Sequence, residues 1–311
     1  MRRTKSRCLP LCVLALLVAG LVVLSGARPA FSEEFTGLAF LKIGVGARAA
    51  AMGSAHLAVA SDATSIYWNP AGLAAVEGLN LHLSHNEWLQ DIRYEFLAVA
   101  KKWGSHGIGA GFSGLYMGEL ERRDVSGTFL GHFGSYDIAA WAGWGTRVAP
   151  DFSLGVSGKF LAEQIDDATA TGFAVDLGAK YDTPVERLSV AAGVFNLGPK
   201  MKFDTEEFDI PRSIACGASY VLPVEEWTGS FLFAADLVSY KGEDPKVHVG
   251  AEYGFRGMAS LAAGYKFGYD VEGFSVGAGF RRGTLSAGYA YSALGSELGD
   301  AHRISLSYDL R

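Results

Sequence analysis

The chain has 311 residues, of which 49% are hydrophobic, 12% aromatic and only 19% charged, with 40 Gly, 9 Pro, 3 Cys and a formal charge of −6. Glycine lies well above its usual share of ~7% and proline below ~5%, so collagen, Pro-rich disorder and a disulfide-stapled mini-protein are excluded. The apolar content is too high for an intrinsically disordered chain, yet beyond residue 32 no apolar run approaches the ~20 residues of a spanning helix.

Arg2, Arg3, Lys5 and Arg7 give a basic start, and Leu9 to Leu24 an apolar stretch. Small residues follow, with Ser25 and Ala27 or Ala30 and Ser32 in the −3 and −1 places. This three-part build predicts a secretory signal peptide over 1–32, cleaved after 27 or 32. Cys12 follows Leu9-Pro10-Leu11 and lacks the small residues a lipoprotein signal places before its cysteine. Removing 1–32 takes away five basic residues and no acid, so the remainder carries about −11. Nucleic acid is therefore not an expected partner, because phosphates call for compensating cations. Cys8 and Cys12 leave with the signal, and Cys216 stands alone without an intramolecular partner.

Residues 33–78 do not alternate, and they are expected to form a plug rather than a domain. Gly44 and Gly46 allow close approach or backbone conformations that a Cβ would block. Arg48 and Asp62 are opposite charges in an apolar setting and form a candidate pair. The run from Asp62 to Ala75 reads as a short helix, with Asp62 or Thr64 as N-cap, Asn69 bridging backbone groups, and Pro70 at a turn or kink. Ile43-Gly44-Val45-Gly46-Ala47-Arg48-Ala49 matches GxGxxA, but a dinucleotide site needs a strand, a Gly turn and further βα units, and none follow.

From residue 79 onward the period is two. Ile304, Leu306, Tyr308 and Leu310 alternate with Arg303, Ser305, Ser307 and Asp309, and Phe274, Val276, Ala278 and Phe280 with Ser275, Gly277, Gly279 and Arg281. Successive side chains on a strand point to opposite faces, so each such segment has an apolar and a polar or small face. Segments of this kind fall at 79–88, 92–102, 105–117, 134–147, 152–164, 169–182, 188–197, 212–222, 229–239, 245–255, 258–268, 272–282, 284–292 and 302–310. Most are near the ~9–11 residues of a tilted membrane strand. Short joints such as Arg256-Gly257 and Arg282-Gly283 predict hairpins, and the longer ones at 118–133, 198–211 and 293–301 predict loops on the opposite rim. Aromatics including Trp88, Tyr94, Trp103, Trp144 and Tyr253 fall near strand ends, as an interfacial girdle requires. The expected fold is all-β, a closed antiparallel transmembrane barrel of about fourteen strands over 79–311, with the N-terminal plug. Closure removes the edges that an open sheet would have to protect. Arg311 departs from the aromatic ending usual in such barrels.

Candidate chemistry is thin. His82 and His85 lie three apart on one strand and face opposite sides; no HxxxH, CxxC or carboxylate cluster appears, so no metal and no cofactor are expected. Ser113 sits in Gly-Phe-Ser-Gly, which is not a nucleophile elbow, and no enzyme activity is expected. Lys159, Glu163, Asp176, Lys180, Asp236, Glu252, Lys266 and Arg281 fall on or beside inward faces, where mixed signs brace a barrel wall. Gly109, Gly111, Gly155, Gly193, Gly250, Gly264, Gly277 and Gly279 leave room for the plug. Most large apolar residues fall on the lipid side, where Cys216 is expected to be inert.

The stretch FLKIGVGARAAAMGSAHLAVASDATSIYWNPAGLA resembles the N-terminal signature of the PorV/PorQ outer-membrane barrels, which are themselves similar to the FadL fatty-acid channels. The resemblance rests on Gly44, Gly46, Ala47, Arg48, Met52, Gly53, Ala55, Asp62, Ala63, Tyr67, Trp68, Asn69, Pro70, Ala71 and Gly72. The Asn69-Pro70-Ala71 turn is the element shared with FadL-like proteins. The resemblance implies a fourteen-stranded barrel in the bacterial outer membrane, in contact with its lipids. It implies one of two roles. The first is an accessory of protein secretion or surface attachment (type IX-like) that meets secreted cargo or secretion machinery; the second is a channel for a hydrophobic ligand such as a fatty acid. Either role belongs to the site rather than to the fold.

Overall fold

A computed structural model describes residues 36–89, 92–204, 206–224, 228–295 and 299–310. The signal peptide expected over 1–32 lies outside them. Period-two patterning becomes strands in chain order: β1 (Leu79–Glu87), β2 (Arg93–Trp103), β3 (His106–Arg123), β4 (Phe129–Ala149), β5 (Phe152–Ile165), β6 (Ala168–Asp182) and β7 (Leu188–Leu197). Two short strands follow, β8 (Met201–Phe203) and β9 (Glu206–Phe208). The wall then resumes with β10 (Ser213–Val224), β11 (Gly229–Tyr240), β12 (Lys246–Phe255), β13 (Ala259–Phe267), β14 (Glu272–Arg282), β15 (Leu285–Leu294) and β16 (Asp300–Leu310). All but β8 and β9 join one closed antiparallel barrel, in which β7 pairs with β10 and β1 closes on β16 from Leu79↔Leu310 to Glu87↔His302. Closure pairs the strands on both sides around the ring, which is the condition for backbone to cross hydrocarbon, and the ends of β3 and β4 run on beyond it.

The two rims differ. Residue pairs 104–105, 150–151 and 283–284 join strands at the end where β1 starts and β16 stops, here the lower rim. Longer joints gather at the upper rim, with 166–167 as a short exception. The outer face is apolar: Leu83, Leu97, Phe173, Leu177, Ile214, Leu261 and Leu306 are all exposed, while their strand neighbours point inward. Cys216 is a free thiol on this exposed face.

Three sequence expectations need correction. The stretch 118–133 is no loop, because β3 and β4 run on as an 18- and a 21-residue strand. Leu120 pairs with Phe133 and Glu121 with His132, and the tip turns where Asp124 Oδ1 accepts from the amides of Ser126 and Thr128. The 198–211 joint contains the β8–β9 hairpin and folds inward over the barrel mouth, burying Met201, Phe208 and Ile210. Tyr94 is not part of a girdle: it is 1% exposed and packs inside beside Phe40.

The plug fills the interior. Thr36 bridges to Asp209 in the upper hairpin loop, and the segment descends through the barrel to enter β1 at the lower rim. Among its described residues the regular pieces are short: 3-10 turns at Ala39–Lys42 and Pro70–Ala75, α1 (Ala47–Ala51) and α2 (Ser65–Trp68). The helix expected over Asp62–Ala75 is therefore broken at Asn69, which is extended (φ −166°, ψ 106°). Pro70 excludes the preceding residue from the helical region, so the chain must restart as a new turn. That turn lies against the wall so closely that a Cβ on Gly107 would stand 1.8 Å from Leu73 O, and one on Gly155 2.1 Å from Pro70 C.

Candidate functional site: the plugged interior

The signature residues mostly serve the plug's own fold. Asn69 is fully buried; its Nδ2 donates to Leu57 O and Ala179 O (both 3.2 Å), and its Oδ1 accepts from Ala71 N (3.0 Å). The Tyr67 hydroxyl lies 2.9 Å from both Leu41 O and Ile43 O and donates to one of them at a time. Trp68 Nε1 donates to Val45 O (3.1 Å), and a Cβ on Gly44 would meet the Trp68 ring at 2.8 Å. Gly46 (φ +83°) and Gly53 (φ +62°) take backbone conformations that L side chains rarely adopt. Met52, Pro70, Ala71 and Gly72 are buried, and a Cβ on Gly72 would stand 2.5 Å from Ala60 O.

Arg48 and Asp62 do not pair. Asp62 Oδ1 accepts from Thr64 N (2.9 Å) and Thr64 Oγ1 (2.5 Å). Arg48 instead makes a two-pronged bridge to Glu252 of β12, with Nε to Oε2 at 2.8 Å and Nη2 to Oε1 at 2.7 Å. Glu252 is the inward carboxylate that α1 faces, and a planar guanidinium matches it in both contacts.

Further polar latches join plug to wall. Asp236 Oδ2 accepts from His56 N (2.7 Å) and Leu57 N (2.9 Å), Ser305 Oγ from Ala47 N (2.7 Å), and Asn80 Oδ1 from Ala63 N (2.6 Å). Lys42 pairs with Glu243 at the upper rim. Each latch satisfies a plug group that no helix or strand would. Asp236 and Glu252 stand out in the sequence as acids on inward positions; Ser305 and Asn80 carry no signal beyond strand alternation. Of the other charges expected on inward faces, Lys159 pairs with Asp176 (2.9 Å), Lys266 with Glu272 (2.5 Å) and Arg281 with Asp309 (2.8 Å), whereas no ion pair holds Glu163, whose Oε2 is buried without a hydrogen-bond partner.

The interior is two-sided. One part of the wall is an apolar patch, where Tyr94, Phe96, Trp141 and Leu161 pack on Leu38, Phe40, Ile43 and Ile66 of the plug. Most large apolar residues of the wall do face the lipid side, and this patch of the lumen is the exception. Cavities also remain between plug and wall. The upper cavity, of about 70 Å³, is lined by Lys42, Lys159, Asn196, Asp236, His248 and Lys266 together with Leu41, Leu57, Trp68 and Phe195. The lower, of about 400 Å³ at the short-turn rim, lies beside Arg48, Asp62, His82, Glu252 and Asp309. His82 points inward while His85 bonds Glu95 (2.6 Å), and among the described residues no cluster of His, Cys, Asp or Glu is arranged to hold a metal ion.

Burial, reinforced by the positive charge of Arg48, pushes the His56 imidazole down to about 3, although Asp62 acts in the opposite direction. A buried ring without a counter-charge in contact stays neutral.

Several solved barrels share this shape. The toluene transporter TbuX of Ralstonia pickettii superposes with a TM-score of 0.61 at 13% identity, over 86% of this chain and 99% of its own. The CymD monoaromatic hydrocarbon channel gives 0.60 at 14%, over 89% and 99%. The Pseudomonas putida toluene transporter TodX gives 0.57 at 12%, over 85% and 96%. At such identities the likeness shows the fold alone. No curated protein matches the sequence. The family described as type IX secretion system protein PorV matches residues 32–229, a span that contains the whole plug signature and the wall as far as β11, and the chain belongs to that family.

Proposed function

We propose that the protein is a non-enzymatic accessory of protein secretion or surface attachment, which receives an exported polypeptide at the outer face of the bacterial outer membrane. A signal peptide over 1–32 would deliver it there. Short turns face the periplasm in such barrels and long joints face outward, so the lower rim is periplasmic and the upper rim external. The observation that carries the reading is the β3–β4 arm. Beyond Tyr116 and Ser135 these two strands continue without other strand neighbours, and they present Leu120, Val125, Phe129 and Leu130 to the surroundings beside charged Arg122, Arg123 and Asp124. Seven further residues of strand reach roughly 20 Å at 3.3 Å each. An arm of that kind is a surface for a polypeptide partner, since apolar side chains with a polar rim supply both area and orientation.

Deleting 118–133 and closing the gap with a two-residue turn is expected to abolish capture of exported cargo, while the barrel keeps its heat-modifiable migration on gels. Undiminished capture by the folded deletion variant would refute the assignment. The alternative is a channel for hydrophobic small molecules. The upper cavity is mixed, with Leu41, Leu57, Trp68 and Phe195 beside Lys42, Lys159, Lys266 and Asp236.

A further inference from the structure

A smaller cavity lies near the upper rim, where the end of α1 meets the wall. Ala50 and Ser54 line it from the plug, and Lys266, Glu272, Ser292 and Arg303 from β13, β14, β15 and β16. Each of these wall residues stands within four positions of the upper end of its strand. Trp88, just beyond β1, and Gly273 complete the side toward the rim; both are partly exposed, as is Glu272, so the cavity is reached from that end.

Arg303 sets the chemistry of this pocket. It is 8% exposed, and its Nε is buried without a hydrogen-bond partner. Arg48, Lys159 and Lys266 each hold a carboxylate, but no carboxylate of a described residue lies within ion-pair distance of Arg303. Glu272 shares the cavity and is already bound to Lys266 at 2.5 Å. The three charges around the cavity therefore sum to one positive, and a guanidinium cannot shed its proton to relieve that. Asn86, the direct cross-strand partner of Arg303, is 1% exposed, and both of its amide atoms also lack a partner. A buried charge is costly unless it is paired, and buried donors in folded proteins are ordinarily met by an acceptor. The pocket is thus short of one negative charge and of an acceptor.

Size narrows what can supply them. The cavity measures about 20 Å³, and one water needs about 10–15 Å³ of such space. A monatomic anion fits, whereas phosphate, a sugar acid or a peptide carboxylate does not. Hydroxyl donors stand ready at Ser275 and Ser292, and Ser275 Oγ is engaged only by a long 3.4 Å bond to Ala51 O. We propose that this pocket is a chloride site, in which the ion balances Arg303 and ties the end of α1 to the wall at β14–β16. The site is independent of cargo capture, which takes place on the β3–β4 arm.

Thermal unfolding of the purified protein in detergent tests it, with sodium chloride exchanged for sodium gluconate at constant ionic strength, since gluconate is too large for the cavity. The Tm is expected to rise by several degrees with chloride and then to saturate, as binding to the folded state alone requires; bromide should act in the same way. Arg303→Gln removes the charge to be balanced. It should be at least as stable as the parent protein in gluconate, less stable than it in chloride, and indifferent to the exchange, whereas a purely structural arginine would cost the same in both salts. Crystals of the parent protein grown with sodium bromide should show an anomalous peak against the Arg303 guanidinium, which decides the matter even if Arg303→Gln fails to fold. A parent Tm that does not distinguish chloride from gluconate, a chloride response that survives in Arg303→Gln, or bromide-grown crystals with only water at Arg303 would each overturn the inference.

Discussion

His56 illustrates how a single side chain records the surroundings it was folded into. It is held neutral at about 3, by burial first and by the Arg48 charge second, with Lys180 and His82 adding and Asp62 subtracting. An unfolded chain returns the ring to about 6.5, so between those values the unfolded state binds the extra proton. Stability then rises with pH across the window, by up to ~1.4 kcal/mol per pH unit, and is flat above it. Chemical unfolding in detergent at pH 4, 5 and 7 should show this slope, and His56→Gln should flatten it; equal slopes would mean that the ring is not buried neutral. On the opposite face of the wall, Leu306 is 54% exposed while its neighbour Ser305 is buried. Leu306→Arg is expected to cost about 2–4 kcal/mol when stability is measured in lipid vesicles, as charges do on the lipid side of a barrel; an unchanged stability there would mean that this face is not in lipid.

Among elements, the strands were the most legible from sequence and the plug the least. Alternation such as Ile304-Ser305-Leu306-Ser307 has one physical meaning, an apolar face and a polar one, and β16 follows it. In β2 the same rule is ambiguous. Tyr94, Phe96 and Ala98 point inward, yet Leu97 and Val99 on the other face are also apolar, so composition alone cannot say which side is lipid. The Arg48 partner was hidden for a different reason: Glu252 lies 204 residues away, and only barrel closure brings it to α1. The plug's second half was half legible, since Pro70 announces a break but not that the restarted turn docks on glycines. That docking makes a sharp prediction. Gly155→Ala places a methyl group on the Pro70 backbone, which cannot give way, and overpacking of this sort costs about 1–3 kcal/mol. Thermal unfolding in detergent should fall accordingly, and proteolysis should reach residues 65–75 sooner; unchanged protection would show that the plug has slack there.

At the scale of the molecule, the wall and its contents are one structure. An ordinary porin encloses water and needs only one apolar face, but here part of the inner face, at Tyr94, Phe96, Trp141 and Leu161, is apolar as well and is covered by the chain's own N-terminal segment. The lid and plug occupy the interior, and the β3–β4 arm stands clear of the neighbouring strands.

The plug leads straight into β1, and β1 closes on β16. The segment that precedes β1 therefore sits at the centre, and the pairing of β1 with β16 completes the ring around it. Assembly resembles fastening a case that has already been packed: the contents must be gathered while the seam between Leu79 and Leu310 is still open. Whatever machinery inserts this protein handles a filled vessel rather than an empty tube.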